Sequence, residues 1–178
     1  MLTITYAAMR KAKLPLAMPD ATGKLTRAEL HKPIPVSVLL DLHGVEAAIK
    51  ILWCDEANKQ MLVQIAADFA EAVLPVWERE YPDDKRPRLA IEAARTGVGA
   101  HAAAYDAVNA AHASVNAAAC AAAYDAARAA AYAAYASAHA SAHASVYDAA
   151  NAAARAANAG LAEGTMRDIM HKRLEKSC

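Results

Sequence analysis

From His101 to Ala159 the chain is more than half alanine and contains no glycine, proline or threonine. Alanine is the strongest helix former because it loses no side-chain entropy, and a methyl-only surface lets neighbouring helix backbones approach closely. About a third of the 178 residues is therefore committed to helix before any motif is considered. The same block leaves few side chains able to do chemistry, so its sparse large groups carry whatever recognition it has. Those groups, from His101 through Tyr105, His112, Tyr124 and Arg128 to Asn158, follow one another at steps of three or four. Their mean step is about 3.8 residues, so on a helix of 3.6 residues per turn the stripe drifts by roughly 20° each time. One straight helix would spread it around the whole circumference and would run to nearly 90 Å, longer than a domain of this size is wide. The block is predicted to break into two or three helices, at Ser114–Asn116 and Ser137–Ser145, where serine and asparagine compete for backbone hydrogen bonds. The triplet Tyr-Asp-Ala recurs at Tyr105, Tyr124 and Tyr147 with unequal spacing, a weak internal similarity and not a solenoid repeat.

The flanking segments complete an all-α reading, one domain over residues 1–178. Residues 1–34 read as an irregular N-terminal segment: Leu2 to Tyr6 alternates as a short strand would, Ala7 to Lys13 permits a helical turn, and Thr26 with Glu29 has capping-box spacing. Residues 35–97 hold amphipathic helices. Pro35 to Leu42 should stop at Gly44, in a left-handed C-terminal position, before a helix resumes from Val45 to Trp53. From Asp55 to Tyr81, the positions Met61, Leu62, Ile65, Phe69, Val73, Leu74 and Trp77 recur at helical steps and mark the core helix. Pro75 predicts a kink or break near Ala72 to Leu74. Pro82 ends that helix, Pro87 opens the next, and Gly97 and Gly99 close it. Residues 98–160 form the alanine-rich helices. Residues 161–178 hold a final helix, Met166 to Lys176, capped by Thr165.

Charge and cysteine usage narrow the class. Lysine plus arginine equals aspartate plus glutamate at nineteen each, so the chain lacks the basic footprint of a nucleic-acid binder. Three widely spaced cysteines, Cys54, Cys120 and Cys178, argue against a disulfide framework and for a reducing, cytoplasmic setting. The first residues lack the order of a signal peptide. The uncharged windows Ala107–Tyr124 and Ala129–Tyr147 have the length of a spanning helix, but alanine supplies little transfer energy and each carries polar groups, so no membrane span is expected.

The candidate chemistry is sparse. His139 and His143 stand one helical turn apart, the spacing that holds zinc from a helix, but Ala140 occupies the place of a metalloprotease's glutamate and no third ligand lies close in sequence. Packed histidines are the expectation, with no metal and no cofactor. Cys120 sits among alanines without an activating neighbour, and there is no glycine-rich phosphate loop. Tyr105, Tyr124, Arg128 and the two histidines would suit a polar pocket between closely packed helices; the plainer reading is that they fill space and reach the rim. The run Glu78 to Arg88 is the densest charge cluster. By default it is a solvated turn, and arginines beside fixed prolines could equally form a partner-binding edge.

That run lies within VLPVWEREYPDDKRPRLAIEAAR, Val73 to Arg95. With its Val73-Leu74-Pro75 start, Trp77, Tyr81-Pro82, the Arg86-Pro87-Arg88 turn and Ile91-Glu92-Ala93-Ala94, it resembles immunity protein family five of the bacterial polymorphic toxin systems. The alanine-rich helices with scattered histidines are similar to that family as well, over roughly residues 40 to 157, whereas residues 1 to 34 do not match its usual beginning. The resemblance implies an all-helical, non-enzymatic protein that neutralises a toxin or effector protein by stoichiometric binding. It supplies neither catalytic nor contact residues. Tyr81, Arg86, Arg88, Tyr105, Tyr124, Arg128, His139 and His143 are the candidate contacts, chosen on side-chain chemistry. The alternative is a protein that sequesters a small, nucleotide-like molecule in a pocket lined by Tyr, His, Arg and Asn. Close alanine faces could also join copies of the chain into a homo-oligomer.

Overall fold

A computed structural model describes residues 2–11, 31–52, 55–116, 121–139 and 142–176, with the side chains at 10–11, 56, 113–116, 122 and 142–146 left out. A two-residue strand β1 (Thr3–Ile4) leads into α1 (Tyr6–Lys11) and pairs antiparallel with β2 (Ile34–Pro35), Thr3 opposite Pro35. Then follow α2 (Val36–Leu52), a 3₁₀ turn (Glu56–Asn58), α3 (Lys59–Glu80), α4 (Arg86–Thr96), α5 (Ala100–Asn116), α6 (Ala121–Ala138), α7 (Ala142–Asn158) and α8 (Glu163–Glu175). The fold is all-α, as the alanine content requires, and no described helix is long and apolar enough to cross a membrane.

The middle alanine helix is the hub. α6 packs against α3, α4, α5 and α7. Ala123, Ala126, Ala127, Ala129, Ala130, Ala131, Ala133, Ala134 and Ala136 are all buried along it. A helix covered by four neighbours has little use for an amphipathic stripe, and a larger side chain at these positions would push a neighbour away. Only one row of large residues, Tyr124, Arg128, Tyr132 and Tyr135, stays partly exposed on it. The alanine block carries three helices: the separation between Ala138 and Ala142 falls within the expected Ser137–Ser145 stretch, whereas Ser114–Asn116 is helical as the end of α5 and α6 starts at Ala121.

The bulky half of the core comes from α3 and α2. Leu62, Val63, Ile65, Phe69, Val73, Leu74 and Trp77 on α3 are buried with Leu39, Leu40, Ile49, Ile51 and Leu52 on α2. The break expected at Pro75 is absent, and α3 runs unbroken from Lys59 to Glu80. Glu71, Ala72, Pro75 and Arg79 form its exposed face, so the carbonyl that loses its proline-blocked donor lies on the solvated side. Gly44 does interrupt α2, but with φ 81° and ψ 179°, an extended positive-φ conformation open almost only to glycine, and not the left-handed helical one.

At the N-terminus the short strand and the helical turn expected from Leu2–Tyr6 and Ala7–Lys13 appear as β1 and α1, which places Met9 in the core; Thr26 and Glu29 lie outside the described residues. At the C-terminus the expectation changes. α8 begins three residues early. Ala162 occupies the cap position without a side-chain bond, and Met166 N–H donates to the Ala162 carbonyl, so Thr165 falls within the first turn beside Glu163, whose charge suits the helix dipole. Met166, Met170 and Leu174 form the buried stripe of α8, which packs on α2 and α3.

Candidate functional site

The family-like run folds into a knuckle between α3 and α4. Trp77 donates its indole N–H to the Asp84 carbonyl at 3.0 Å, and its ring lies 4.4 Å from that of Tyr81, tilted by 31°. Asp84 accepts the Arg86 backbone N–H at 3.1 Å and the Arg86 guanidinium through Nε at 2.9 Å and Nη2 at 2.6 Å. The bond from Arg86 holds the Asp84 carboxyl below the ordinary carboxylate range against the opposing effect of burial. Two residues on, Arg88 forks onto Glu78 through two bonds of 2.8 Å. The Tyr81 hydroxyl is buried and has no partner among the described residues. The Trp, Tyr-Pro and Arg-Pro-Arg residues therefore build a self-bonded turn, and the guanidiniums of Arg86 and Arg88 are engaged by the protein's own carboxylates.

The Arg88–Glu78 fork is one rung of a ladder along the α3–α4 seam. Arg95, two turns after Arg88, meets Glu71, two turns before Glu78, at 2.5 Å, and also reaches Asp68 at 3.1 Å. The Arg95 bond holds the Glu71 carboxyl below its ordinary range. Asp68 in turn accepts Arg173 of α8, Nε to Oδ2 at 2.8 Å, which fixes α8 to the same seam.

The stripe on α6 brings Tyr124 and Arg128 together with residues that sequence reasoning did not single out. Arg128 Nη2 donates to the Tyr132 hydroxyl at 2.9 Å with its guanidinium carbon 5.1 Å from the ring centre, while its buried Nε has no partner. Next to Tyr124, the buried Asp125 accepts Arg155 of α7 at 2.8 Å. That bond raises the Arg155 pKa against the opposing effect of burial.

His139 stands just beyond the last residue of α6, its Nδ1 2.6 Å from Oδ2 of the buried Asp148 on α7. The contact is close but poorly aligned as a hydrogen bond, and Oδ2 finds no other donor. Burial, the larger effect, pushes the Asp148 carboxyl up, while His139 pulls it down. The Lys59 ammonium donates to the His139 carbonyl, tying the start of α3 to this end of α6. The His143 side chain lies outside the described residues; among the described residues no three His, Cys, Asp or Glu side chains gather as a metal site. Tyr105 is exposed on α5.

The signal for the missed residues was present in the Tyr-Asp-Ala triplets. Tyr105 and Tyr147 are exposed and Tyr124 is partly so, whereas Asp125 and Asp148, the next residues, turn inward and pair with Arg155 and His139. Asp106 of the remaining triplet is exposed, so the inward aspartate belongs to the Tyr124 and Tyr147 triplets.

No curated protein and no solved structure matches the chain. The described α3 to α8 bundle, with its knuckle, ladder and triplets, falls within one matched span. Residues 52–177 match the family model described as Imm-5 like putative immunity protein, and the chain belongs to that family.

Proposed function

We propose that the protein neutralises a toxin or effector protein by binding it stoichiometrically, without catalysis and without a cofactor, in the cytoplasm. Family membership over residues 52–177 carries this reading. The described side chains agree with it. Tyr105 and Tyr147 stand exposed on the alanine-rich helices, where aromatic groups serve as contacts for another protein, while the core beneath them is alanine. A rigid alanine hub that presents large groups outward is a binding scaffold in physical terms, and rigidity reduces the ordering cost of association. Tyr105, Tyr124, Arg128 and His139 are the contacts we propose on the alanine-rich helices, with Tyr81, Arg86 and Arg88 supporting the knuckle.

The test is co-expression with a candidate toxin. The protein should restore growth, form a complex of fixed stoichiometry measured by light scattering after gel filtration, and reach full inhibition only at equimolar amounts. Inhibition at a small fraction of the toxin concentration would mean catalysis, and toxin activity unchanged at excess protein would reject the reading.

A further inference from the structure

We propose that Arg128 on α6, with the Tyr132 hydroxyl beside it, receives the carboxylate of an acidic side chain, aspartate or glutamate, presented by the partner protein. The proposal rests on the toxin-binding reading above and adds the chemistry of one contact.

Arg128 stands apart from the other arginines. Every other arginine whose side chain is described meets a carboxylate of this chain within 3.3 Å. Arg128 meets none among the described residues. Its Nη2 donates to the neutral Tyr132 hydroxyl at 2.9 Å, and its guanidinium carbon lies 5.1 Å from the centre of that ring. The acid nearest to it in sequence, Asp125, is buried and taken by Arg155 of α7 at 2.8 Å.

Nor is the cation simply solvated. Its Nε is buried without an acceptor, and the residue as a whole is only partly exposed. A guanidinium that has lost part of its hydration without gaining a counter-charge carries a desolvation cost, and a neutral phenol offsets it incompletely. An anion arriving from outside supplies the missing charge.

The donors select which anion. Tyr132 accepts the Arg128 bond through its oxygen and keeps its own proton, which finds no acceptor among the described residues. A guanidinium N–H and a phenol O–H set side by side suit the two oxygens of one carboxylate. The surplus on the protein is a single charge. A phosphate group brings about −1.5 to −2 and calls for a second cation, whereas Arg155 is already engaged by Asp125. Tyr124 and Tyr132 stand one helical turn to either side of Arg128 and are partly exposed. Aromatic neighbours of this kind exclude water from a charged contact once a partner covers it, which strengthens the pair.

Two measurements on the full chain test this. The first follows the Nε–H resonance of Arg128, assigned by its loss in Arg128→Lys, during NMR titration at matched ionic strength. The probes are the α-amide of Nα-acetyl-glutamate, the neutral isosteric α-amide of Nα-acetyl-glutamine, and inorganic phosphate. A saturating shift with the glutamate probe, at least about fivefold tighter than with the glutamine probe, supports the site. Equal responses to the two, tighter binding of phosphate, or no response would overturn it. The second compares wild type, Arg128→Gln and Arg128→Lys in thermal melting and in affinity for a candidate toxin. Because Arg128 holds no acid of its own chain, Arg128→Gln should leave Tm unchanged or raise it while weakening the complex at least about tenfold. Arg128→Lys, which keeps the charge but not the planar fork, should fall between the two. Parallel losses of Tm and affinity in both variants would make Arg128 a structural residue and overturn the proposal. Equal affinities overturn the contact and leave the functional reading standing. Failure of wild type to bind any toxin removes that reading, and the titration then decides the chemistry of the site alone.

Discussion

Trp77, the largest fully buried side chain among the described residues, donates its indole N–H to the backbone carbonyl of Asp84, seven residues on, at 3.0 Å. The core is thereby tied to the turn that leaves it, and the two contributions can be separated. Trp77→Ala removes both packing and bond and should cost about 3–5 kcal/mol. Trp77→Phe keeps most of the packing but leaves the carbonyl without its donor, for about 1–3 kcal/mol. Urea denaturation midpoints measure both; equal losses would mean the hydrogen bond dominates and the ring contributes little.

The enclosure of α6 predicts an unusual sensitivity to added bulk. Ala130 is fully buried on a helix with four neighbours, so Ala130→Leu should destabilise by about 1–3 kcal/mol or more through overpacking. Ala102 is exposed on α5, and Ala102→Leu should stay within about 0.5 kcal/mol. Thermal melting of the pair checks the claim. Equal tolerance at both positions would mean that the alanine surfaces are not in close contact.

What the sequence made legible was whatever depends on local periodicity. The core face of α3 follows from the spacing of Leu62, Ile65, Phe69, Val73 and Trp77, and the division of the alanine block from the drift of its large residues. Features set by competition or by distant neighbours were not legible. Pro75 was expected to kink or break α3; no break occurs, and the proline lies on the solvated face. Thr165 was expected to cap α8, yet the Ala162 carbonyl accepts the Met166 N–H and starts the helix earlier. Arg86 and Arg88 were recognisable as chemistry-bearing residues, but their occupation by Asp84 and Glu78 follows from how the turn closes. Asp68 and Arg173 stand 105 residues apart, beyond any local pattern.

Asp68 joins three helices, since its carboxylate on α3 accepts both Arg95 of α4 and Arg173 of α8. Asp68→Asn should remove the charge that joins Arg95 to Arg173 and destabilise by about 1–3 kcal/mol, with α8 loosened first. Glu71 is more than half exposed, and Glu71→Gln should cost below about 1 kcal/mol and less still in high salt. Amide hydrogen exchange in α8 distinguishes the two. Unchanged protection at Met170 in Asp68→Asn would show that the ion pair does not hold the helix.

Asp148 should impose a pH-dependent burden on stability. Burial raises its pKa above the ordinary value of 3.8, with His139 opposing. Below 3.8 both folded and unfolded chains hold the proton and nothing is lost. As pH rises past that value the unfolded chain releases its proton first, so unfolding gains in favour until the folded carboxyl also ionises, and the burden is constant above that point. Asp148→Asn removes the titration. The stability of wild type relative to this variant should therefore decline as pH is raised from about 3.5 and then level off, measured by guanidinium denaturation at each pH. His139→Gln deletes the imidazole whose Nδ1 lies 2.6 Å from Asp148 Oδ2 and which pulls that carboxyl down, and should deepen the decline. A difference between wild type and Asp148→Asn that rises with pH would mean that the pairing with His139 outweighs burial, and that this end of α6 is held by an ion pair strong enough to favour the charged carboxylate.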